Sequence, residues 1–399
     1  MRIFWYEVRK LLRPGPLLAA LVLLLLFERS VAFQYLHALP KDSETGGALT
    51  IYADWRERYG TTLDPEELPG VRAQLDALCE EADSVIAHWD ETKWEHWASF
   101  SDAGISNYEE YAALLRKPDR SQAENDAAAL LLDSRTDYLQ LRIALVENVL
   151  EHYDFEALGT AGQEGASERA LARAREIAVD PALTHSILYS PSLSSAQEFA
   201  AAAALVILAV VAVIVSPVLV RERLCRMMQM QWATRTGRRI ARYRLAAALA
   251  VSAAVSAGLV LWYGVRYARS WHAAAFWDCM AYAVGGSELP WFSMTYGQYL
   301  VLLGVLLTAL GVACGVLMCF LSRFSGNYIA MLLKALPGFL ALAALAEQVF
   351  PLCLYFGNRL SGLSGVPGTE LTVTAAVLAG TLLLAQSAVG RDARRELPE

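Results

Sequence analysis

Five apolar stretches, each about 20 residues long, constrain this chain more than any other feature of its sequence. A helix rises about 1.5 Å per residue and the bilayer hydrocarbon core is about 30 Å thick, so about 20 apolar residues suffice for one crossing. Their apolar character is continuous rather than alternating, which favours membrane helices over barrel strands. The stretches are Phe199–Val220, Leu245–Tyr263, Tyr299–Leu321, Tyr328–Ala346 and Leu371–Val389.

A sixth candidate helix near the N-terminus has two interpretations. The apolar run Leu17–Phe27 is short, basic residues precede it, and Ser-Val-Ala follows at 30–32, an arrangement typical of a secretory signal peptide. The alternative is a retained helix that continues through a Glu-Arg pair to about Leu36, with those charges directed toward the membrane surface. We favour the retained helix, which brings the number of spans to six.

Basic residues predict which ends of the helices face the cytoplasm, because short loops rich in Lys and Arg remain there. Sixteen such residues lie in segments 1–13, 221–244, 322–327 and 391–399. Three lie in the opposite segments, 265–297 and 351–370. We therefore expect a multi-pass protein of a bacterial plasma membrane with both termini in the cytoplasm.

Acidic residues are concentrated in one part of the chain. The whole sequence has a net charge of −7, whereas residues 31–195 contain 30 acidic and 13 basic residues. Apolar residues in this part recur at three- and four-residue steps, which indicates amphipathic helices. The sequence thus predicts an acidic helical domain outside the cell, whose charge either keeps it soluble or attracts a cationic ligand such as a basic peptide.

The chain accordingly divides into three parts. Residues 1–36 form an amphipathic lead-in helix and the first transmembrane helix, 37–196 form the exoplasmic domain, and 197–399 contain transmembrane helices two to six. A Ser-Ala-Gln-Glu capping-box sequence begins at Ser195 and predicts the start of the second membrane helix. The expected fold class is therefore an all-α polytopic membrane protein, with a helical domain between the first and second of six spans.

The segment 221–244 between the second and third spans is rich in arginine and methionine. It resembles the corresponding loop of ABC-2 type permeases, the membrane subunits of type V ATP-binding-cassette transporters. In that family a Glu follows the second span, and a small residue, Gly and Arg lead into the third; Glu222 and Gly237-Arg238 match this pattern. Cys225 departs from it, since the family often has Gly there.

The resemblance implies a function for this loop. In the family, the lead-in helix and the first cytoplasmic loop contact a separate ATPase subunit, so ATP and Mg belong to that partner and this chain carries neither cofactor. The residues expected to couple to the ATPase are Glu222, Met227, Met228, Met230, Trp232, Gly237, Arg238 and Arg239. The alternative is a basic helix that binds only anionic membrane lipid.

The expected function is therefore a permease subunit that exports a peptide or lipid-like substrate. Its partners would be the ATPase, a second permease that is identical or homologous, and membrane lipid, with no nucleic acid. The alternative is a ligand-sensing or immunity membrane protein whose outer domain captures a cationic peptide without transport. We expect no catalytic residue on this chain, because it contains neither a phosphate-binding G-x-x-x-x-G-K-[ST] sequence nor a convincing catalytic triad.

The fifth span contains a charge and a proline. Lys334 either extends to the nearby cytoplasmic surface or lines a transport pathway, and Pro337 can kink the helix. In the fourth span, Gly311 and Gly315 have the spacing of close helix packing. We treat Lys334 and Pro337 as candidate pathway residues.

Cysteine and histidine patterns predict no structural or catalytic metal site. His88 and His96 lie eight residues apart, too far for two ligands on one helix face of the HExxH type. Of the six cysteines, Cys79, Cys279 and Cys353 fall outside the membrane. A bond between Cys279 and Cys353 is one option, and isolated thiols are the default expectation.

Overall fold

The chain is described here by a computed structural model. It describes residues 2–36, 44–89, 99–133, 139–153, 168–224, 237–270, 273–282 and 288–394. Within these ranges the regular secondary structure is helical, and the only extended pairings are the isolated bridges Thr62–Ser186 and Pro290–Tyr355. The all-α fold class is therefore confirmed.

The described residues form two compact units. The first, which we call the membrane body, comprises residues 1–37, 191–273 and 288–399. The second, the helical domain, comprises residues 38–190 and 274–287. The sequence assigned 37–196 to the domain and left 274–287 with the membrane helices, so the domain receives an additional short segment from between the third and fourth spans.

The membrane body contains six helical runs long and apolar enough to cross a bilayer, which confirms the predicted number among the described residues. Its helices are α1 (Arg2–Leu11), α2 (Pro14–Leu36), α10 (Ser190–Val215), α11 (Pro217–Leu224), α12 (Gly237–Ser270), α13 (Tyr296–Ser322), α14 (Tyr328–Val349), α15 (Arg359–Ser364) and α16 (Thr369–Arg394). The numbers α3 to α9 belong to the helical domain.

The first span is one helical run despite its short apolar core. Pro14 begins α2, a position where a missing backbone N–H costs nothing. A π-helical turn at Glu28–Ala32 then carries the run on to Leu36. Glu28 accepts a hydrogen bond from Arg266 of α12, so the first charge after the apolar core is paired within the body.

The second span begins earlier than the capping-box sequence predicts. Helix α10 begins at Ser190, with Pro191 in its first turn, and Ser195 lies inside the helix with only 8% of its surface exposed. The prediction of a start at Ser195 is therefore wrong. Proline favours the first turn of a helix, and this signal overrides the later capping-box sequence.

Close contact between α12 and α13 forms the centre of the membrane body. A Cβ atom added at Gly315 would lie 2.6 Å from the Cβ of Ser252, and one added at Gly311 would lie 2.9 Å from the Cβ of Ser256. Small residues on both helices let the two backbones approach. The predicted packing role of Gly311 and Gly315 is therefore confirmed.

A short helix, α15, follows the fifth span. The side chain of Asn358 caps α15 by accepting hydrogen bonds from the backbone N–H groups of Leu360 and Ser361. Its amide also donates to the carbonyl of Pro351. The buried Asn358 side chain thereby fixes both ends of this loop, because it satisfies backbone groups that precede and follow it.

The helical domain consists of seven helices within the described residues. They are α3 (Glu44–Tyr59), α4 (Leu68–Ala87), α5 (Tyr108–Arg116), α6 (Gln122–Asp133), α7 (Leu139–Glu151), α8 (Glu168–Ala178) and α9 (Pro181–Thr184). The core side of α4 consists of Val71, Leu78, Ala82 and Ile86. The three- and four-residue steps of apolar residues in the sequence predict the first three of these positions.

The buried face of α7 matches the helical periodicity of the sequence only in part. Three- and four-residue steps predict Leu141, Leu145 and Val149 as core positions. Val149 is buried, but Leu141 and Leu145 are only half-buried, and Leu139, Ile143 and Val146 are buried as well. Helix α7 packs against α4. This contact selects the face at 139, 143 and 146, and both sets of positions have helical spacing, so periodicity alone does not distinguish them.

The described cysteines are Cys79, Cys279, Cys314, Cys319 and Cys353, and all five are free thiols. The expectation of isolated thiols is therefore confirmed for them, while Cys225 lies outside the described residues. Burial raises the pKa of Cys279 to about 11 and also raises the pKa of Cys353. Neither thiol is therefore poised as a nucleophile near neutral pH.

We expect Gly315→Ala to destabilise the membrane body by about 1–3 kcal/mol, because the new methyl group would overpack the contact with Ser252. The matched control is Gly258→Ala on the partner helix α12, where an added Cβ meets nothing within 4 Å. Thermal unfolding of the purified protein in detergent measures both. A Gly315→Ala melting temperature equal to that of the control would contradict this packing.

Candidate functional site

Four charged side chains form a cluster where the lead-in helix meets both ends of the arginine-rich segment. Lys10 Nζ lies 2.7 Å from Glu7 Oε1 and 2.7 Å from Glu222 Oε1. Arg244 donates through Nη2 to Glu222 Oε2, and its Nε lies 3.5 Å from Glu7 Oε2. We call these four residues the ion cluster.

The ion cluster is removed from solvent and balanced in charge. Its side chains are between 2% and 10% exposed, and two carboxylates face two cations. Buried charges cost several kcal/mol each unless they are paired and hydrogen-bonded. Each Glu222 oxygen contacts a different cation, so loss of any one member leaves another buried charge without its partner.

Three helices present these side chains, and local sequence explains how. Glu7 and Lys10 are three residues apart on α1 and therefore share one face. The second span ends at Val215 and α11 begins at Pro217, which carries Glu222 past the end of the apolar run. Arg244 lies two turns into α12, which packs against α1.

The structure describes some of the predicted coupling residues and not others. Glu222 lies in the ion cluster, and Gly237 begins α12. Arg238 and Arg239 follow in the first turn of that helix, where only the backbone is described. Met227, Met228, Met230 and Trp232 lie outside the described residues.

Sequence reasoning missed Glu7 as a site residue and treated Lys10 and Arg244 only as topology signals. One signal was present: Glu7 is the single acid in a lead-in segment that otherwise contains apolar and basic residues. An isolated acid on an amphipathic basic helix indicates a specific partner. Its distant partner could not be named, because Arg244 is 237 residues away.

Lys334 and Pro337, the candidate pathway residues, both lie on an exposed part of α14. Lys334 Nζ donates a 2.6 Å hydrogen bond to the carbonyl of Phe324, just before that helix. The bond draws the charge toward the end of the span, as expected for a lysine that extends to the membrane surface. A role in a pathway stays a prediction for both residues.

The body contains a second buried acid with different surroundings. Glu370, in the first turn of α16, is 0% exposed. Among the described residues, no basic side chain forms an ion pair with its carboxylate within 4.0 Å, and the groups that face it are neutral ones, the backbone N–H of Leu354 and the hydroxyl of Ser361. Glu222 and Glu370 are therefore a matched pair of buried glutamates, one compensated by cations and one not.

In the described ranges, no group of three or more His, Cys, Asp and Glu side chains is arranged to hold an ion. His96 lies outside those ranges, so the His88–His96 pair stays untested.

We expect Glu222→Gln to destabilise the membrane body by about 3 kcal/mol, because it leaves two buried cations facing one carboxylate. Glu370→Gln is the matched control: removal of an uncompensated buried charge should leave the melting temperature unchanged or raise it. Both are measured by thermal unfolding in detergent. Equal losses of stability in the two variants would contradict the assigned charge balance.

Comparison with known proteins gives one finding. The sequence profile of a family described as ABC-2 family transporter protein matches residues 92–353, about two thirds of the chain. Searches of curated proteins and of solved structures returned no match. The matched residues include Glu222 and Arg244 of the ion cluster, as well as the second to fifth spans.

Proposed function

The chain belongs to the ABC-2 family of transporter proteins, and on that premise we propose that it is the permease of an exporter driven by a separate cytoplasmic ATPase. The exported molecule would be a peptide or a lipid-like compound. The observation that carries this proposal is the ion cluster, which joins the lead-in helix to both ends of the segment expected to contact the ATPase. ATP and Mg would bind the partner subunit, where the hydrolysis takes place.

The ion cluster would transmit the motion of the ATPase to the membrane helices. Because Glu222 follows the second span and Arg244 lies within α12, a displacement of the segment between them reaches both spans together. Lys10 adds the lead-in helix to the same unit. Packed interfaces of this kind respond by rigid-body shifts rather than by gradual deformation.

The contact with the ATPase would combine charge and apolar anchors. Arg238 and Arg239 can pair with carboxylates, while Met227, Met228, Met230 and Trp232 would fill a groove on the partner. This assignment places the arginine-rich segment and both termini in the cytoplasm, and the helical domain on the opposite side of a bacterial plasma membrane. The bias of sixteen basic residues to three supports that sidedness.

A second permease would complete the pathway. The first and fifth spans, α2 and α14, bury only 17% of their most apolar windows within the body, against 67% for the second span. A second copy of this chain or a homologous permease would cover part of this apolar surface, and lipid would cover the rest. Lys334 and Pro337 lie on α14 and would then lie near the pathway.

The second candidate is a sensor or immunity protein that binds a cationic peptide without transporting it. The observation that favours it is the charge of residues 31–195, which contain 30 acidic and 13 basic residues. Reconstituted vesicles distinguish the two functions. ATP-dependent flux of labelled peptide or lipid supports export, whereas ATP turnover without flux supports the sensor.

We expect the double variant Arg238→Glu/Arg239→Glu to reduce co-purification of the ATPase by about tenfold or more, because like charges facing each other across an interface cost several kcal/mol. The ATPase to assay is an ATP-binding-cassette subunit that co-purifies with the wild-type chain. The matched control is Arg269→Glu at the other end of the same helix. Undiminished co-purification and transport in the double variant would exclude coupling through this turn.

A further inference from the structure

A cavity of about 580 Å³ opens in the membrane body beside the ion cluster. One wall comes from the junction between α1 and α2, and the other from the junction between α10 and α11. Lys10 and Arg13 provide basic groups, while Ala19, Val213 and Ile214 provide an apolar wall. The cavity thus has a cationic part and a hydrocarbon-like part side by side.

The charges around this cavity leave one cation uncompensated. Glu222 also lines the cavity, but its two carboxylate oxygens already contact Lys10 and Arg244. With Glu7 included, the ion cluster contains two positive and two negative charges. Arg13 adds a third positive charge, and no ion pair joins it to an acid within the described ranges. The cavity therefore carries a net charge of about +1 and favours an anion.

Lys10 and Arg13 have N–H donors left to bind an anion in the cavity. The Lys10 ammonium has three N–H donors, of which Glu7 and Glu222 use two. Arg13 supplies a planar guanidinium that can bind two phosphate oxygens together. Arg13 is also the N-cap of α2 and makes no side-chain capping bond, so its guanidinium is not committed to that helix end.

The exposed residues around the cavity indicate how deep it lies in the membrane. Trp5 and Tyr6 on α1 are more than half exposed, as are Leu18 and Val22 on α2. Tryptophan and tyrosine concentrate at the headgroup level, and aliphatic side chains lie below it. Arg13 lies at the junction between these two zones, which is where the phosphate of a lipid lies.

We propose that this cavity binds one anionic phospholipid, with its phosphate on Arg13 and Lys10 and the upper part of an acyl chain against Ala19, Val213 and Ile214. A water-soluble phosphate compound would satisfy the cations but leave the apolar wall uncovered. The lipid would be a resident ligand that stabilises the junction beside the ion cluster. It is not a transported substrate, so the site does not depend on the proposed export function.

The test is native mass spectrometry of the full-length protein in detergent, titrated with phosphatidylglycerol or phosphatidylcholine. For the first lipid molecule bound, wild-type protein should have an affinity for phosphatidylglycerol that is about fivefold or more higher than its affinity for phosphatidylcholine. Arg13→Gln should weaken that binding by about fivefold, since one basic residue near a headgroup contributes about 1 kcal/mol. The matched control Arg9→Gln removes the same charge from an exposed position on α1 and should bind as wild type does.

Three results would overturn the proposal. The first is equal affinity of the wild-type protein for the two lipids, a comparison that needs no variant to fold. The second is equal loss of phosphatidylglycerol in Arg13→Gln and Arg9→Gln, which would indicate general attraction to basic residues. The third is displacement of the lipid by glycerophosphoglycerol at the same concentration, which would identify a site for soluble phosphates. Partial restoration of binding by Arg13→Lys, which returns the charge without the planar guanidinium, would support the assigned role.

Discussion

The buried ion cluster is the interaction that holds together the helices at this end of the membrane body. Two glutamates and two basic residues from three helices lie in a place with little solvent, where each charge needs the others. The arrangement joins the lead-in helix, the end of the second span and the beginning of the third. A membrane protein that must transmit force needs such a connection, because the apolar spans themselves offer only non-directional packing.

The membrane body and the helical domain bury their apolar surfaces in different ways. In the membrane body, small residues let α12 and α13 approach closely, while α2 and α14 stay largely uncovered by the rest of the body. The helical domain instead buries an ordinary amphipathic core, in which Val71 and Leu78 of α4 are buried and α4 packs against α7. One chain therefore combines a lipid-solvated body and a water-solvated domain, and its charges are distributed accordingly.

The sequence predicts the features that depend on local composition and misses those that depend on distant partners. The six spans and the close packing at Gly311 and Gly315 follow from hydropathy and spacing, and the choice of Glu222 follows from the family resemblance. The partnership of Glu7 with Arg244 does not, because no local pattern connects residues so far apart. Which face of α7 is buried depends on its contact with α4. The start of α10 at Ser190 depends on Pro191, whose preference for the first turn of a helix outweighs the later capping-box sequence. Residues 274–287 join the helical domain through tertiary contacts that composition does not encode.

Sidedness is the central claim, and cysteine accessibility tests it most directly. With Cys79 and Cys225 replaced by serine, a cysteine is introduced at Gly237 in one variant and at Ser101, an exposed position of the helical domain, in another. We predict that a membrane-impermeant maleimide labels Ser101→Cys in intact cells and labels Gly237→Cys only after permeabilisation. Ready labelling of Gly237→Cys in intact cells would place the arginine-rich segment away from ATP and contradict the account.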